Sequence, residues 1–322
     1  MRRLLASLVV VTLLATGCGG KRADTGQAGQ AGACEAGEGR ITIATGNTGG
    51  VYYVVGGGLA QLISDGTKLN AHAAETGASV QNIQQLVAGQ YDIAFSLADT
   101  AADAVSGRGA FQQPQKINAL TRIYSNHTQV VVRADSGINS LADLRGKRIS
   151  TGSPKSGTEV IAFRLLNAAG LNPDADLSAQ RLALRQSVDG MKEGKVDGLF
   201  FSGGLPTPEI TDLTTSMRDR VKFIDVTPQL DGMKKVNSVY DTGTIPAATY
   251  GLPADVPTIV VPNLLLVRED FPAGNACAIT KLIFEKRADL EKVNAAAREI
   301  TRENATRTDP VPLHPGSGQA LG

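Results

Sequence analysis

Arg40-Ile-Thr-Ile-Ala-Thr45 alternates β-branched and small residues and runs into Gly46-Asn47-Thr48-Gly49-Gly50, ahead of a helical stretch from Tyr52 to Ser64. Such alternation predicts a short strand, and the glycine-rich polar turn predicts a tight crossing into a helix. The unit recurs. Leu69–Ala74 predicts a second strand, followed by Thr76-Gly77-Ala78-Ser79 and a helix through Leu86, and Tyr91–Ser96 predicts a third strand ending at Asp99. After Gln129–Arg133 the pattern restarts with a short helix at Leu141–Leu144, a strand at Arg148–Thr151, a polar turn at 152–158 and a helix over Glu159–Ala169. Strands at Arg181–Leu184 and Asp197–Phe201 flank a helix containing Val188–Lys192, and Ser202-Gly203-Gly204 ends the last strand. Strands joined by helices of this length predict parallel βαβ units and an α/β fold.

The turns carry the chemistry. Each sets backbone N–H groups and hydroxyls at a helix N-terminus, where the dipole favours a carboxylate or phosphate. In open parallel sheets, ligands gather outside the carboxyl ends of the strands, where these turns lie. Any one turn is better explained as cap and turn residues alone. Four or five turns of this composition in one chain favour a shared polar pocket. Asp99, Glu75 and Glu159 lie near these turns and read either as acceptors for a substrate ammonium or as solvated helix-start charges.

Composition narrows the class. The chain has 322 residues, 42% hydrophobic and 20% charged, enough for two domains and against disorder. A net charge of +1 gives no reason to expect nucleic acid as a partner, and 4% aromatic content disfavours a stacking groove. His72, His127 and His314 lie far apart without paired ligand spacing, so no metal or other cofactor is expected. The first turn lacks the Gly-Lys-Ser/Thr of a P-loop, and no G-x-S-x-G elbow occurs, so the chain reads as no enzyme. His127 and His314 could each serve as a base, but neither has a recognisable Ser or Cys partner.

The first 17 residues read as an address. Arg2 and Arg3 precede the apolar run Leu4–Leu14, which leads to Ala15-Thr16-Gly17-Cys18. This is a secretory signal, too short for a transmembrane helix of about 20 residues. The Cys after small residues resembles a bacterial lipobox, with Cys18 as the lipidated mature N-terminus. Ala15 stands where Leu is commonest. Loss of residues 1–17 changes the net charge from +1 to −1. Residues 18–39 are rich in Gly, Ala and Gln and read as a lipid-anchored tether. Cys34 and Cys277 are either a disulfide, as suits an exported chain, or two free thiols.

Thr45-Gly-Asn-Thr-Gly-Gly-Val-Tyr-Tyr53 resembles the opening motif of the TAXI solute receptors, binding proteins of one branch of TRAP (tripartite ATP-independent) transporters. Thr76-Gly-Ala-Ser-Val-Gln-Asn82, Asp143-Leu-Arg-Gly-Lys147, Ser156-Gly-Thr-Glu159, Ser202–Pro208 and Pro312–Gly316 agree in order, over about residues 40–316. Ala78 departs from the family's usual Gly, and the C-terminus lacks the usual aromatic pair. The resemblance implies a type II periplasmic-binding-protein fold. Two α/β lobes with mixed sheets, residues 40–127 plus 252–322 and residues 128–251, would be joined by a two-segment hinge around a ligand cleft. Prolines 246, 253, 257 and 262 would mark the return crossing. It further implies an extracytoplasmic, lipid-anchored receptor on the outer face of the cytoplasmic membrane or in the periplasm. The receptor would capture a small organic anion, a glutamate-like amino acid or a dicarboxylate or 2-oxo acid, for an integral TRAP permease. A tethered sensing subunit is the alternative. The expected site is Thr45, Gly46, Thr48, Gly49, Tyr52, Ser79 and Asp99 facing Ser156, Gly157, Thr158, Ser202 and Gly203, with Asp99 for an amine.

Overall fold

A computed structural model describes residues 34–322, so Cys18 and most of the expected tether lie outside the described residues. Strand β1 (Gly39–Ala44) pairs in parallel with β2 (Leu69–Ala74) and β3 (Ile93–Leu97). Strand β4 (Ile117–Arg133) is long. Beyond it, β5 (Arg148–Ser150) pairs in parallel with β6 (Ser178–Gln180) and β7 (Gly198–Gly203). The short strands β8 (Val221–Phe223) and β9 (Asp241–Ile245) pair with β4 and with β10 (Val256–Arg268). The main path of this ten-stranded mixed sheet is β2-β1-β3-β10-β4-β7-β5-β6. Thus β4 and β10 are antiparallel to each other and join the two parallel triplets.

Helices fill the crossovers: α1 (Val51–Gly66) after β1, α2 (Ser79–Val87) after β2, α3 (Ala98–Ser106) after β3 and α4 (Gly157–Ala168) after β5. Then α5 (Leu184–Lys192) follows β6 and α6 (Pro208–Met217) follows β7. Val51, Val55, Leu59 and Ile63 recur every four residues along α1 and are all buried, which is the stripe that docks a helix on a sheet. Strand β3 is buried at all five positions, as a strand covered on both faces must be. Proline is tolerated in a strand at a bulge, and Pro262 of β10 sits where its register against β4 shifts. No helix among the described residues is long and apolar enough to cross a membrane.

Three expectations need correction. The strand placed at Arg181–Leu184 is instead Ser178–Gln180, where Thr151 N–H reaches the Gln180 carbonyl at 2.9 Å and extends the parallel ladder; Leu184 already begins α5. The tether does not run to residue 39. Cys34 is disulfide-bonded to Cys277 of helix Ala273–Glu285, and Gly37 N–H donates to Asn275 Oδ1 at 2.8 Å. A cross-link over a sequence separation of 243 restricts the unfolded chain, an effect on the order of 2–5 kcal/mol. Finally, Asp99 is not at the end of a strand but in the first turn of α3.

His127 lies on β4, opposite Val260 and Gly203, and its Nδ1 finds no hydrogen-bond partner among the described residues. Burial lowers its pKa to about 4. The folded chain therefore keeps it neutral, while the unfolded chain takes up a proton below about pH 6.5. This contribution to stability is complete above pH 6.5 and is lost as the pH falls toward 4, by up to ~1.4 kcal/mol per unit. Burial lowers the pKa of His314 too, in the same direction. Replacing His127→Gln should flatten the fall in Tm between pH 6.5 and 4.5. An unchanged slope would place the acid sensitivity elsewhere.

Candidate functional site: a cavity at three helix N-termini

Gly50 precedes α1, Ala78 precedes α2 and Ser156 caps α4, and all three border one cavity of about 40 Å³. A single water needs roughly 10–15 Å³, so the space suits a small solute. The first turn of a helix leaves its N–H groups without intrahelical acceptors, at the positive end of the dipole. Close approach sets the sequence here. A Cβ at Gly157 would stand 2.4 Å from Leu97 Cδ1 and 2.7 Å from Ser79 Oγ, so a side chain would push α4 away from α2. Gly49 has φ +80°, and a Cβ there would meet Glu209 Cγ at 2.3 Å.

Three of the hydroxyls around the cavity are already acceptors. Ser79 Oγ accepts from Leu97 N–H at 3.1 Å, Ser156 Oγ from Glu159 N–H at 3.0 Å, and Thr158 Oγ1 from Ser202 N–H at 3.2 Å. Ser156 and Thr158 therefore have their own protons left to donate, while the Ser79 hydroxyl faces that of Tyr52. Ser202 Oγ has no partner among the described residues, although Ser202 is only 6% exposed and borders the cavity.

Tyr52 behaves differently. Its hydroxyl donates to Asn263 Oδ1 at 2.5 Å, and burial raises its pKa well above the usual value, so it remains a neutral phenol. Asn263 Nδ2 donates to Asn126 Oδ1 at 2.7 Å, and Asn126 Nδ2 donates to the Ser202 carbonyl at 2.9 Å. This chain of bonds runs from α1 through β10 and β4 to β7. Across the cavity, Ser153 Oγ donates to Asn47 Oδ1 at 2.7 Å, and Gln81 N–H donates to the Lys155 carbonyl at 3.1 Å.

Of the residues expected from sequence, Gly46, Tyr52, Ser79, Ser156, Gly157, Thr158, Ser202 and Gly203 border the cavity; Thr45, Thr48, Gly49 and Asp99 do not. Thr45 is fully buried, and its hydroxyl donates to the Ala74 carbonyl at 2.6 Å, tying β1 to β2. Thr48 N–H donates to Glu75 Oε1 at 3.2 Å on the outer side of the turn. Gly49 packs on Glu209 instead of facing the cavity. Asp99 is committed elsewhere. Its Oδ2 accepts from the Arg164 guanidinium at 2.8 Å and from the Tyr240 hydroxyl, while Arg164 also grips Asp103. Burial pushes the Asp99 carboxyl up, and Arg164 and Tyr240 draw it back. It has no access to a ligand amine.

Sequence reasoning missed Asn47, Asn126 and Ser153, and the apolar wall that includes Leu97, Leu182, Phe200 and Phe201. Asn47 and Ser153 stood inside turns already singled out. Phe200 and Phe201 immediately precede Ser202 but read as ordinary strand residues. Asn126 lies mid-strand in β4 with no local signal.

The model described as the NMT1-like family matches residues 43–321. The chain belongs to the NMT1-like family. Its fold is that of the type II periplasmic binding proteins, as the solved structures indicate. The binding-protein component of an ABC phosphonate transporter from Pseudomonas aeruginosa is 12% identical, with 82% of this chain and 80% of that one covered and a TM-score of 0.56. PhnD1 from Prochlorococcus marinus (MIT 9301), in complex with methylphosphonate, is 10% identical, covers 81% and 90%, and has a TM-score of 0.55. A protein from Bordetella bronchiseptica RB50 is 18% identical over 88% and 80%, with a TM-score of 0.55. At such identities these structures speak for the fold of this NMT1-like chain and leave its ligand to the cavity.

Ala78 holds φ 81° and ψ −152°, a backbone conformation that glycine adopts readily and other residues only under strain. Replacing Ala78→Gly should raise stability by about 1 kcal/mol, read as a Tm increase of roughly 2–4 °C. A lower Tm would show that the alanine methyl contributes more by packing than its backbone loses by strain.

Proposed function

We propose that the chain is the extracytoplasmic solute receptor of a TRAP transporter, which binds a small organic anion by lobe closure and hands it to an ion-gradient-driven permease. Residues 40–127 with 252–322 form one lobe, residues 128–251 the other, and β4 and β10 carry the hinge. The observation that carries this reading is the cavity. Two of its helix N-termini, of α1 and α2, come from the first lobe, and that of α4 comes from the second. A site split in this way forms fully only when the lobes shut, so an anion that bridges them favours the shut form. The ion cluster of Asp99, Asp103, Arg164 and Tyr240 joins the same two lobes and adds to the closed state. The TAXI motifs support the TRAP assignment, and the lipobox supports a lipid anchor on Cys18. The receptor itself catalyses nothing.

Vesicles carrying the full chain and its permease should take up the bound anion on an ion gradient without ATP. In the same cells Cys18→Ser should release the receptor from the membrane fraction. Uptake that stops on ATP depletion alone, or retention of Cys18→Ser in the membrane, would overturn the respective part of the reading.

Ser156→Ala combined with Thr158→Ala should weaken anion binding at least tenfold by calorimetry, since each hydrogen bond to a charged group contributes about 1.5–3 kcal/mol. Without ligand the stability should fall by about 2–4 kcal/mol, from the lost helix cap and the unpaired Ser202 N–H. Unchanged affinity would move the site.

A further inference from the structure

We infer that the cavity selects a solute with a single oxyanion head and a short apolar tail, and rejects amino acids and diacids. The inference rests on the receptor reading above and concerns the chemistry of the same cavity. Its polar side offers donors: the first-turn N–H groups of three helices that the Lys155 carbonyl and the Ser156 cap do not take, and the O–H groups of Ser156 and Thr158, whose oxygens already accept from the protein. Ser202 Oγ, 94% buried with its residue and unpartnered, is the independent mark of a ligand contact.

An ammonium needs the opposite, acceptors, best with charge, and no carboxylate borders the cavity among the described residues. Asp99 is held by Arg164 and Tyr240, and Glu209 accepts from Arg185 at 3.0 Å. Glu75 accepts from Thr48 N–H, and Glu159 pairs with Arg181 at 2.7 Å. No Lys or Arg borders the cavity among the described residues, so a second carboxylate would be buried without a counter-charge. The remaining wall, with Leu97, Leu182, Leu184, Phe200 and Phe201, fits hydrocarbon.

The test uses the secreted Cys18→Ser chain, titrated calorimetrically with butanoate, 2-aminobutanoate and butanedioate, which share a four-carbon skeleton. Propane-1-sulfonate serves as a second head group. Butanoate or propane-1-sulfonate should bind at least tenfold tighter than the amino acid and the diacid, the better of the two naming the head. Ser202→Ala should weaken that binding about tenfold and leave the unliganded Tm unchanged, because its hydroxyl has no protein partner to lose. Binding of 2-aminobutanoate or butanedioate as tight as the monoanions would overturn this inference and leave the receptor reading standing. Unchanged affinity in Ser202→Ala would also overturn it. If none of the four probes binds, this inference falls, while the receptor reading is decided by the uptake experiment.

Discussion

An α-helix cannot satisfy the N–H groups of its own first turn, and here three helices present that end to one small cavity. Much else follows from this constraint. Ser156 and Thr158 accept from the protein through their oxygens and keep their protons for the space. Glycine at position 157 lets α4 begin within contact of Ser79 and Leu97. No carboxylate borders the cavity among the described residues.

The exclusion of Asp99 shows how this is done. Placed in the first turn of α3, it is buried and turned toward Arg164, which it shares with Asp103 and Tyr240. A buried pair of this kind is weak evidence for stability by itself, because desolvation offsets most of the attraction. Its effect is on geometry: removing either partner would leave a buried charge, so α3 and α4 are held in one arrangement. The neutral chain Tyr52–Asn263–Asn126–Ser202 does the same beneath the cavity, with every link a hydrogen bond across a different element.

The elements were legible where a local pattern sufficed. Alternation at Arg40–Thr45 and the helical stretches after the polar turns at 46–50 and 152–158 are properties of a few consecutive residues; β1 stands at Gly39–Ala44, and α1 and α4 begin one and two residues earlier than the pattern places them. The strand expected at Arg181–Leu184 was displaced because parallel pairing with β5, not local apolar content, chose Ser178–Gln180. Among site residues, those at helix starts were found because capping chemistry is local. Asn126 and Asn263 were not, because each takes its role from partners far along the chain, Asn126 from Ser202 and Asn263 from Tyr52.

By itself, then, the sequence determined an α/β chain of strand–turn–helix units and the turns able to hold an anion, because strand alternation, glycine turns and helix caps act over a few residues. Which turns meet, which carboxylate is sequestered and how Cys34 finds Cys277 were decided only in the tertiary structure. Those outcomes depend on sheet order: β4 and β10 bring the β1–β3 and β5–β7 triplets together. No window of sequence contains that pairing.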